Sequence, residues 1–186
     1  MSDEQLALLS QQGDDRSFQE IVRRYLKPIY HFARQYVHTP EDAEDITQDS
    51  FYKAWKYIKK YKTEKKFKPW LYTIARNTAL DYLKKKKPAV FSTLDTVEDT
   101  VPFSDTLEDA EPLQPEVFEQ AELRTEMAAL IDTLHPDHRS VLVLHYHEEL
   151  TFEEISDILE KPMNTVKSWH RRALTKIREA LHQNRP

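Results

Sequence analysis

Residues 150–181 read LTFEEISDILEKPMNTVKSWHRRALTKIREAL, and this stretch decides the fold. Its periodicity predicts a helix, a tight turn and a longer basic helix. Thr151 is placed to cap the first helix, and Glu154, three residues on, completes a capping box. Phe152, Ile155, Ile158 and Leu159 then share one face. Pro162 ends that helix, and Asn164 is expected to take the left-handed backbone that a sharp turn requires. Thr165 opens the second helix, with Val166, Ala173, Ile177 and Leu181 inward and Lys167, Ser168, Arg171, Arg172 and Lys176 outward. Cations for phosphates and donors for base edges on one exposed face are what a helix-turn-helix presents to a major groove. The plainer alternative is two packed amphipathic helices with a solvated charged face.

The rest of the chain narrows the choice. Among 186 residues there is one glycine, Gly13, and no cysteine. Glycine-rich phosphate loops, Walker motifs and dinucleotide fingerprints are therefore excluded. Disulfide scaffolds and thiolate zinc sites are excluded as well. No apolar run approaches the roughly 20 residues needed to span a bilayer. The opening MSDEQLALLSQQGDD is acidic and polar, unlike a signal peptide. A soluble, cytoplasmic protein is expected. Periodic segments rich in Leu, Glu, Lys and Ala predict an all-α protein.

A net charge of −5 runs against polyanion binding until its distribution is read. Residues 1–88 carry 18 basic and 12 acidic side chains. Residues 89–118 carry eight acids, three prolines (Pro102, Pro112, Pro115) and no Lys or Arg. Residues 119–186 carry nine basic and 12 acidic side chains. Local field, not net charge, governs approach to nucleic acid. The middle segment lacks helical periodicity and is read as an acidic linker between two small helical domains, an N-terminal helical bundle (1–88) and a C-terminal helix-turn-helix domain (119–186).

Four helices are expected before the linker: Glu4–Gln12, Phe18–Val37, Glu41–Tyr57 and Trp70 to about Lys85. Pro28 should kink or split the second. The third is expected to turn Ile46, Phe51, Ala54, Trp55 and Ile58 inward. Four more helices follow the linker: Glu119–Leu134, Asp137–His147 and the helix-turn-helix pair.

Two constellations could carry function. The third helix opens with Glu41, Asp42, Glu44, Asp45 and Asp49, more acids than complementing a helix dipole requires. Glu41, Asp45 and Asp49 recur every four residues on one face, beside Gln48 and Phe51. An acidic face edged by amide and aromatic groups suits docking on a basic partner helix. A two-metal nuclease would also use carboxylates, but acids strung along one helix do not converge on a point. Then WKYIKKYKTEKKFKPWLY, residues 55–72, interleaves seven lysines with six aromatic side chains. Lysines supply salt-sensitive phosphate contacts, and aromatics supply stacking faces for unpaired bases, worth about 1–3 kcal/mol each. That pairing suits single-stranded DNA. In the alternative, Trp55, Trp70 and Tyr72 are core residues and the lysines only solvate a loop. Asn77, on the next helix, suits hydrogen bonding to a base edge. His135/His138 and His145/His147 lack a third convergent ligand, so no metal site is read here, and no catalytic set assembles.

Four blocks together resemble the bacterial sigma factors of the extracytoplasmic-function type, within the sigma-70 superfamily. They are FQEIVRRYLKPIYHFARQYV, PEDAEDITQDSFYKAW, FKPWLYTIARNTALDYLKK and LTFEEISDILEKPMNTVKSWHRRAL, in the family's order and spacing. The resemblance implies that Asp42, Glu44, Asp45, Gln48, Asp49 and Phe51 bind core RNA polymerase at the clamp of its largest subunit. It implies that Lys59, Lys60, Tyr61, Lys65, Lys66, Phe67, Trp70, Arg76, Asn77 and Lys84 read and open the minus-ten element and hold the non-template single strand. It implies that Asn164, Thr165, Lys167, Ser168, Arg171, Arg172 and Lys176 read the minus-thirty-five element as duplex. Neighbouring helices would touch the flap of the second-largest subunit. An anti-sigma factor, often membrane-bound, would sequester the protein at the inner face of the membrane. No cofactor and no small-molecule substrate are implied. The chain departs from the family at Asn164, where glycine is usual, near Trp169, where Arg is usual, and near His170, where an apolar residue is usual. A helix-turn-helix regulator that binds duplex without polymerase is the competing reading, and it leaves the acidic face and the lysine-aromatic loop without a role.

Overall fold

The computed structural model describes residues 1–37, 39–86, 130–131 and 133–183. The linker 89–118 and most of the expected helix 119–134 lie outside them. Among the described residues the regular structure is helical throughout, with no strand.

Helix α1 spans Asp3–Gln11 and begins in a reciprocal cap: Ser2 Oγ accepts from Gln5 N, and Gln5 Oε1 accepts from Ser2 N. The turn that follows it passes through Gly13, whose φ of +94° lies where side-chain-bearing residues are strained. Helix α2 spans Asp15–Ala33, capped by Asp14. It continues through Pro28 without splitting. Pro28 cannot donate to the carbonyl four residues back. Ile21, Tyr25, Ile29 and Phe32 are buried on both sides of it, so packing holds the helix together where the backbone loses a bond. The helix gives way to a turn after Ala33, short of the expected Val37.

Helix α3 spans Pro40–Tyr57, with Thr39 as its cap and Pro40 in the first turn, where a missing N–H costs nothing. A short 3₁₀ turn, Ile58–Lys60, leads into the loop before helix α4, Phe67–Lys86. Helices α1 to α4 pack around Ile21, Ile29, Phe32, Phe51, Phe67, Leu71 and Tyr72.

Helix α5 spans Pro136–Leu142 and passes into a wider π-turn over Val143–His147. Helices α6 (Phe152–Leu159) and α7 (Met163–Gln183) complete the C-terminal group. Ile155, Ile158, Leu159, Val166 and Ala173 are buried, as the periodicity predicts. The expected capping box is present: Glu154 N donates to Thr151 Oγ1 at 3.3 Å, and Thr151 N to Glu154 Oε2 at 2.8 Å. The left-handed residue of the turn is Glu160, with φ of 50°, not Asn164. Helix α6 therefore ends one residue earlier than Pro162 would impose, and α7 starts at Met163, with Asn164 and Thr165 already in its first turn. The two helical groups touch: α4 packs against α6, and one apolar cluster runs continuously from α1–α4 into α6 and α7.

Candidate nucleic-acid interface

Three surfaces carry the residues singled out above. The first is the outer face of α3. Glu41, Glu44, Asp45, Gln48 and Asp49 are exposed along it. Two of the expected docking residues point elsewhere. Phe51 is 7% exposed and belongs to the core. Asp42 is tied to α4: its Oδ1 accepts from the Tyr82 hydroxyl at 2.6 Å, and its other oxygen pairs with Lys86. Lys86 and the Tyr82 hydroxyl hold the Asp42 carboxyl below its ordinary range. Its job is to fasten the start of α3 to the end of α4.

The same face continues into an aromatic patch. Tyr52 is 58% exposed and Trp55 54%, with ring centroids 6.5 Å apart. Trp55 does not turn inward as expected. Tyr52 follows Gln48 by four residues and Trp55 by seven, so the helical repeat that groups the acids also places these rings. That signal was in the sequence, hidden by the habit of assigning large aromatics to the core.

The second surface is the loop after α3 together with α4. Here the aromatics divide. Tyr61 and Phe67 are buried at 4% and 0%, and Trp70 leans on both at centroid distances of 5.2 and 5.5 Å. Tyr61 also donates its hydroxyl to the Lys65 carbonyl. As placed, Tyr61 and Phe67 are an internal spine that shapes the loop rather than stacking faces for bases. Helix α1 reinforces that shape. Gln11 Nε2 donates to the carbonyls of Ile58 (2.9 Å) and Tyr61 (2.7 Å), and Glu4 Oε1 accepts from Phe67 N at 3.2 Å. Lys59, Lys60 and Lys65 remain exposed around the loop, and Lys60 Nζ lies 5.1 Å from the centre of the Tyr57 ring. On α4, Asn77 and Lys84 are exposed. Lys66 and Arg76 face acids of the C-terminal group: Lys66 Nζ is 2.9 Å from Glu154 Oε1, and Arg76 Nη1 is 3.9 Å from Glu160 Oε2.

The third surface is the outer face of α7. Asn164, Lys167, Arg171, Arg172 and Lys176 are exposed, and Thr165 and Ser168 are half-buried at its edge. Val166, Ala173 and Ile177 pin the opposite face. The two unusual residues both turn back toward the protein. Trp169 is partly buried against the core, 6.2 Å from the His138 ring. His170 enters an aromatic group instead of an apolar slot. Its Nε2 lies 3.0 Å from the Tyr146 hydroxyl, and its ring sits 5.1 Å from Phe152 and 5.3 Å from His145. Burial, and then His145, push the His170 pKa down, which favours the neutral ring. No group of three metal-ligating side chains occurs among the described residues. No described helix is long and apolar enough to cross a membrane.

An exposed acidic-aromatic stripe, a cationic loop beside Asn77, and a basic helix held from behind are three separate surfaces. Comparison with known proteins finds two family matches along the chain. Residues 21–88 match the Sigma-70 region 2 family, and residues 130–179 match the Sigma-70 region 4 family. The chain is 32% identical over 171 residues to the ECF RNA polymerase sigma factor SigW of Bacillus subtilis strain 168, covering 91% of each. It is 34% identical over 193 aligned positions to the RNA polymerase sigma-H factor of Pseudomonas aeruginosa, covering 96% of this chain and 93% of that one. Its fold is similar to that of CnrH, solved with the cytosolic domain of CnrY, with a TM-score of 0.68 at 21% identity over the whole of both chains. It is also similar to the sigma factor RpoE solved with the anti-sigma factor NepR from Bartonella quintana, with a TM-score of 0.67 at 22% identity over 91% of this chain and 99% of that one.

Proposed function

Because this chain belongs to the sigma-70 family, in its extracytoplasmic-function branch, we propose a specific division of work among its three faces. The protein is a promoter-recognising sigma factor. Asp45, Gln48 and Asp49, with Glu41, Glu44, Tyr52 and Trp55 around them, dock on the clamp of core RNA polymerase's largest subunit. Lys59, Lys60, Lys65, Lys66, Arg76, Asn77 and Lys84 engage the minus-ten region and the non-template strand. Asn164, Thr165, Lys167, Ser168, Arg171, Arg172 and Lys176 read the minus-thirty-five element. The chain itself supplies no bond chemistry. It works in the cytoplasm and is held there by an anti-sigma factor until released, as the relatives solved in such complexes suggest.

The energetics follow from the faces. Duplex reading at one end of the site is sequence-specific, while strand opening at the other is offset by phosphate and stacking contacts to the freed strand. Two modules on one chain raise each other's effective concentration at correctly spaced elements, so neither need bind tightly alone. The observation that carries this reading is the stripe on α3. A duplex-only regulator has no use for exposed Asp45, Gln48, Asp49, Tyr52 and Trp55 in a row. Run-off transcription with purified core polymerase on a genomic library tests it. Core-dependent initiation at a discrete promoter set is the expected result. Strong promoter binding by the chain alone, unchanged by core, would favour the duplex-only regulator.

A further inference from the structure

The basic face of α7 has a neighbour that neither helix of the motif supplies. Tyr146, in the π-turn before α6, is 60% exposed and yet fixed in place. Its ring stacks on His170 at 5.6 Å and stands edge-on to His145 at 4.9 Å, and its hydroxyl lies 3.0 Å from His170 Nε2. His145 is itself pinned. Its Nδ1 donates to the Leu150 carbonyl at 2.8 Å, and its ring stacks on Phe152, the first residue of α6, at 4.5 Å. His145 and Phe152 thus supply the packing. What Tyr146 adds is a hydroxyl at a defined position.

That position is the edge of the surface assigned to duplex. His170 follows Val166 by four residues and precedes Ala173 by three, so it borders the buried row of α7. It also follows Lys167 by three and adjoins Arg171, so it borders the exposed basic row. Tyr146 therefore stands in the angle between the start of α6 and the Lys167–Arg171 edge of α7. In a helix-turn-helix the first helix crosses the phosphate backbone while the second lies in the groove. Tyrosine hydroxyls are ordinary donors to phosphate at such interfaces.

We propose that Tyr146 is a further phosphate contact of the minus-thirty-five face, positioned by His170, and that His170 takes a proton from solvent as duplex docks. The inference rests on α7 being the duplex reader. With His170 neutral and Nε2 unprotonated, the Tyr146 hydroxyl donates to the ring. Burial, and then His145, push the His170 pKa below its ordinary value and favour that state in the free protein. A phosphate beside Tyr146 acts the other way, because a nearby negative charge favours the cationic ring. Protonated Nε2 can only donate, so it donates to the Tyr146 oxygen, and the Tyr146 proton turns to the phosphate. The groups that face His170 are His145 and Tyr146 from the π-turn and Phe152 from α6, with Lys167 and Arg171 beside it on α7. None of these is a carboxylate, so none anticipates the field that DNA brings. A histidine pKa lower in the free protein than in the complex makes affinity rise as pH falls through the value in the complex.

The test measures binding of the full chain with core polymerase to a labelled promoter duplex recovered by run-off transcription, held cold so that the strands stay paired. Between about pH 7.5 and about pH 6, parent affinity is expected to rise about threefold more than that of His170→Leu, which cannot titrate. Tyr146→Phe keeps the ring and removes the hydroxyl. It should bind about fivefold more weakly than the parent at the acid end and lose the same pH dependence. A merely structural role for the pair would leave the pH profile unmoved. Tyr146→Phe/His170→Leu should cost no more than the costlier single change, because the two side chains act as a unit. Equal pH profiles for parent and His170→Leu, parent-like affinity in Tyr146→Phe, or a double loss equal to the product of the single losses each overturn the proposal. Tyr146 is exposed and Tyr146→Phe deletes one oxygen, so that arm does not depend on refolding the domain. Arg171→Ala on the same duplex separates the two levels. If it binds like the parent, α7 is not the duplex reader and both readings fall. If it weakens binding while Tyr146→Phe does not, only the Tyr146 contact falls.

Discussion

The Tyr82 hydroxyl donates to Asp42 Oδ1 at 2.6 Å and joins the first turn of α3 to the last turns of α4, with Lys86 on the second oxygen. An acid that looks, in sequence, like one more member of a docking face is thereby the fastening between the start of α3 and the end of α4. Replacing Asp42 with Asn should lower stability at neutral pH by about 1 kcal/mol, the ordinary worth of such a bond. The sign with pH is fixed by the lowered carboxyl pKa. A group depressed on folding contributes above its unfolded value of about 3.9 and ceases to contribute as pH falls through its folded value. Urea midpoints of parent and variant should therefore converge as pH is lowered below that range.

Asp45 differs from Asp42 in being exposed. Asp45→Arg should abolish association with core polymerase while leaving the unfolding free energy from urea titration within about 0.5 kcal/mol of the parent, as surface changes usually do. Co-purification with core measures the first, and unchanged association would remove the clamp assignment.

Trp55 extends that test along the helix. At 54% exposure its removal costs the fold little. A ring fully buried on docking, however, is the type of side chain that dominates interface energy. Trp55→Ala should weaken core binding by about tenfold or more, equivalent to about 1.4 kcal/mol. Titration of labelled core reads this directly, and a change below twofold would end the interface at Asp49.

Asn77 is exposed on α4 beside the cationic loop. Asn77→Ala should impair opening or minus-ten selectivity by about 1–3 kcal/mol per lost base contact. Permanganate reactivity of unpaired thymines near the start site is the measurement. Normal reactivity together with normal selectivity would argue against a base contact.

Arg171 projects from α7. Arg171→Ala should cut transcription from duplex promoters, and it should flatten the slope of binding against salt by about one charge if the contact is to phosphate. On a promoter already lacking its upstream element the substitution should do little more. An equal further loss there would take Arg171 out of the recognition helix's role.

How far the sequence carried this reading varies by element. The helices were legible because apolar spacing is local, and the start of α6 because Thr151 with Glu154 is a local signal; α2 and α4 start three residues before the expected Phe18 and Trp70, at Asp15 and Phe67. The split allowed at Pro28 does not occur, because buried side chains on both sides of it hold α2 as one helix. The turn between α6 and α7 was assigned to Asn164, the residue with the better left-handed propensity, yet the chain turns at Glu160. There the acid sits opposite Arg76, a contact 84 positions earlier in the chain that no local window sees. The aromatic loop was legible as a composition but not as a division of labour. Whether Tyr61 and Phe67 face solvent or core depends on Glu4, Gln11 and Tyr25, brought in from α1 and α2. Helical spacing grouped the acids of α3 correctly, but it could not show that Tyr82 and Lys86 claim one of them.

The bonds from Glu4 and Gln11 to the backbone around the loop between α3 and α4 have a practical corollary. A protease nick or a bulky affinity tag that pulled α1 from its seat would leave every side chain proposed to meet DNA in the polypeptide and still slacken the frame that presents them. Such a preparation should still dock on the enzyme through α3 and yet melt promoters poorly, a defect easily mistaken for a damaged DNA-binding residue.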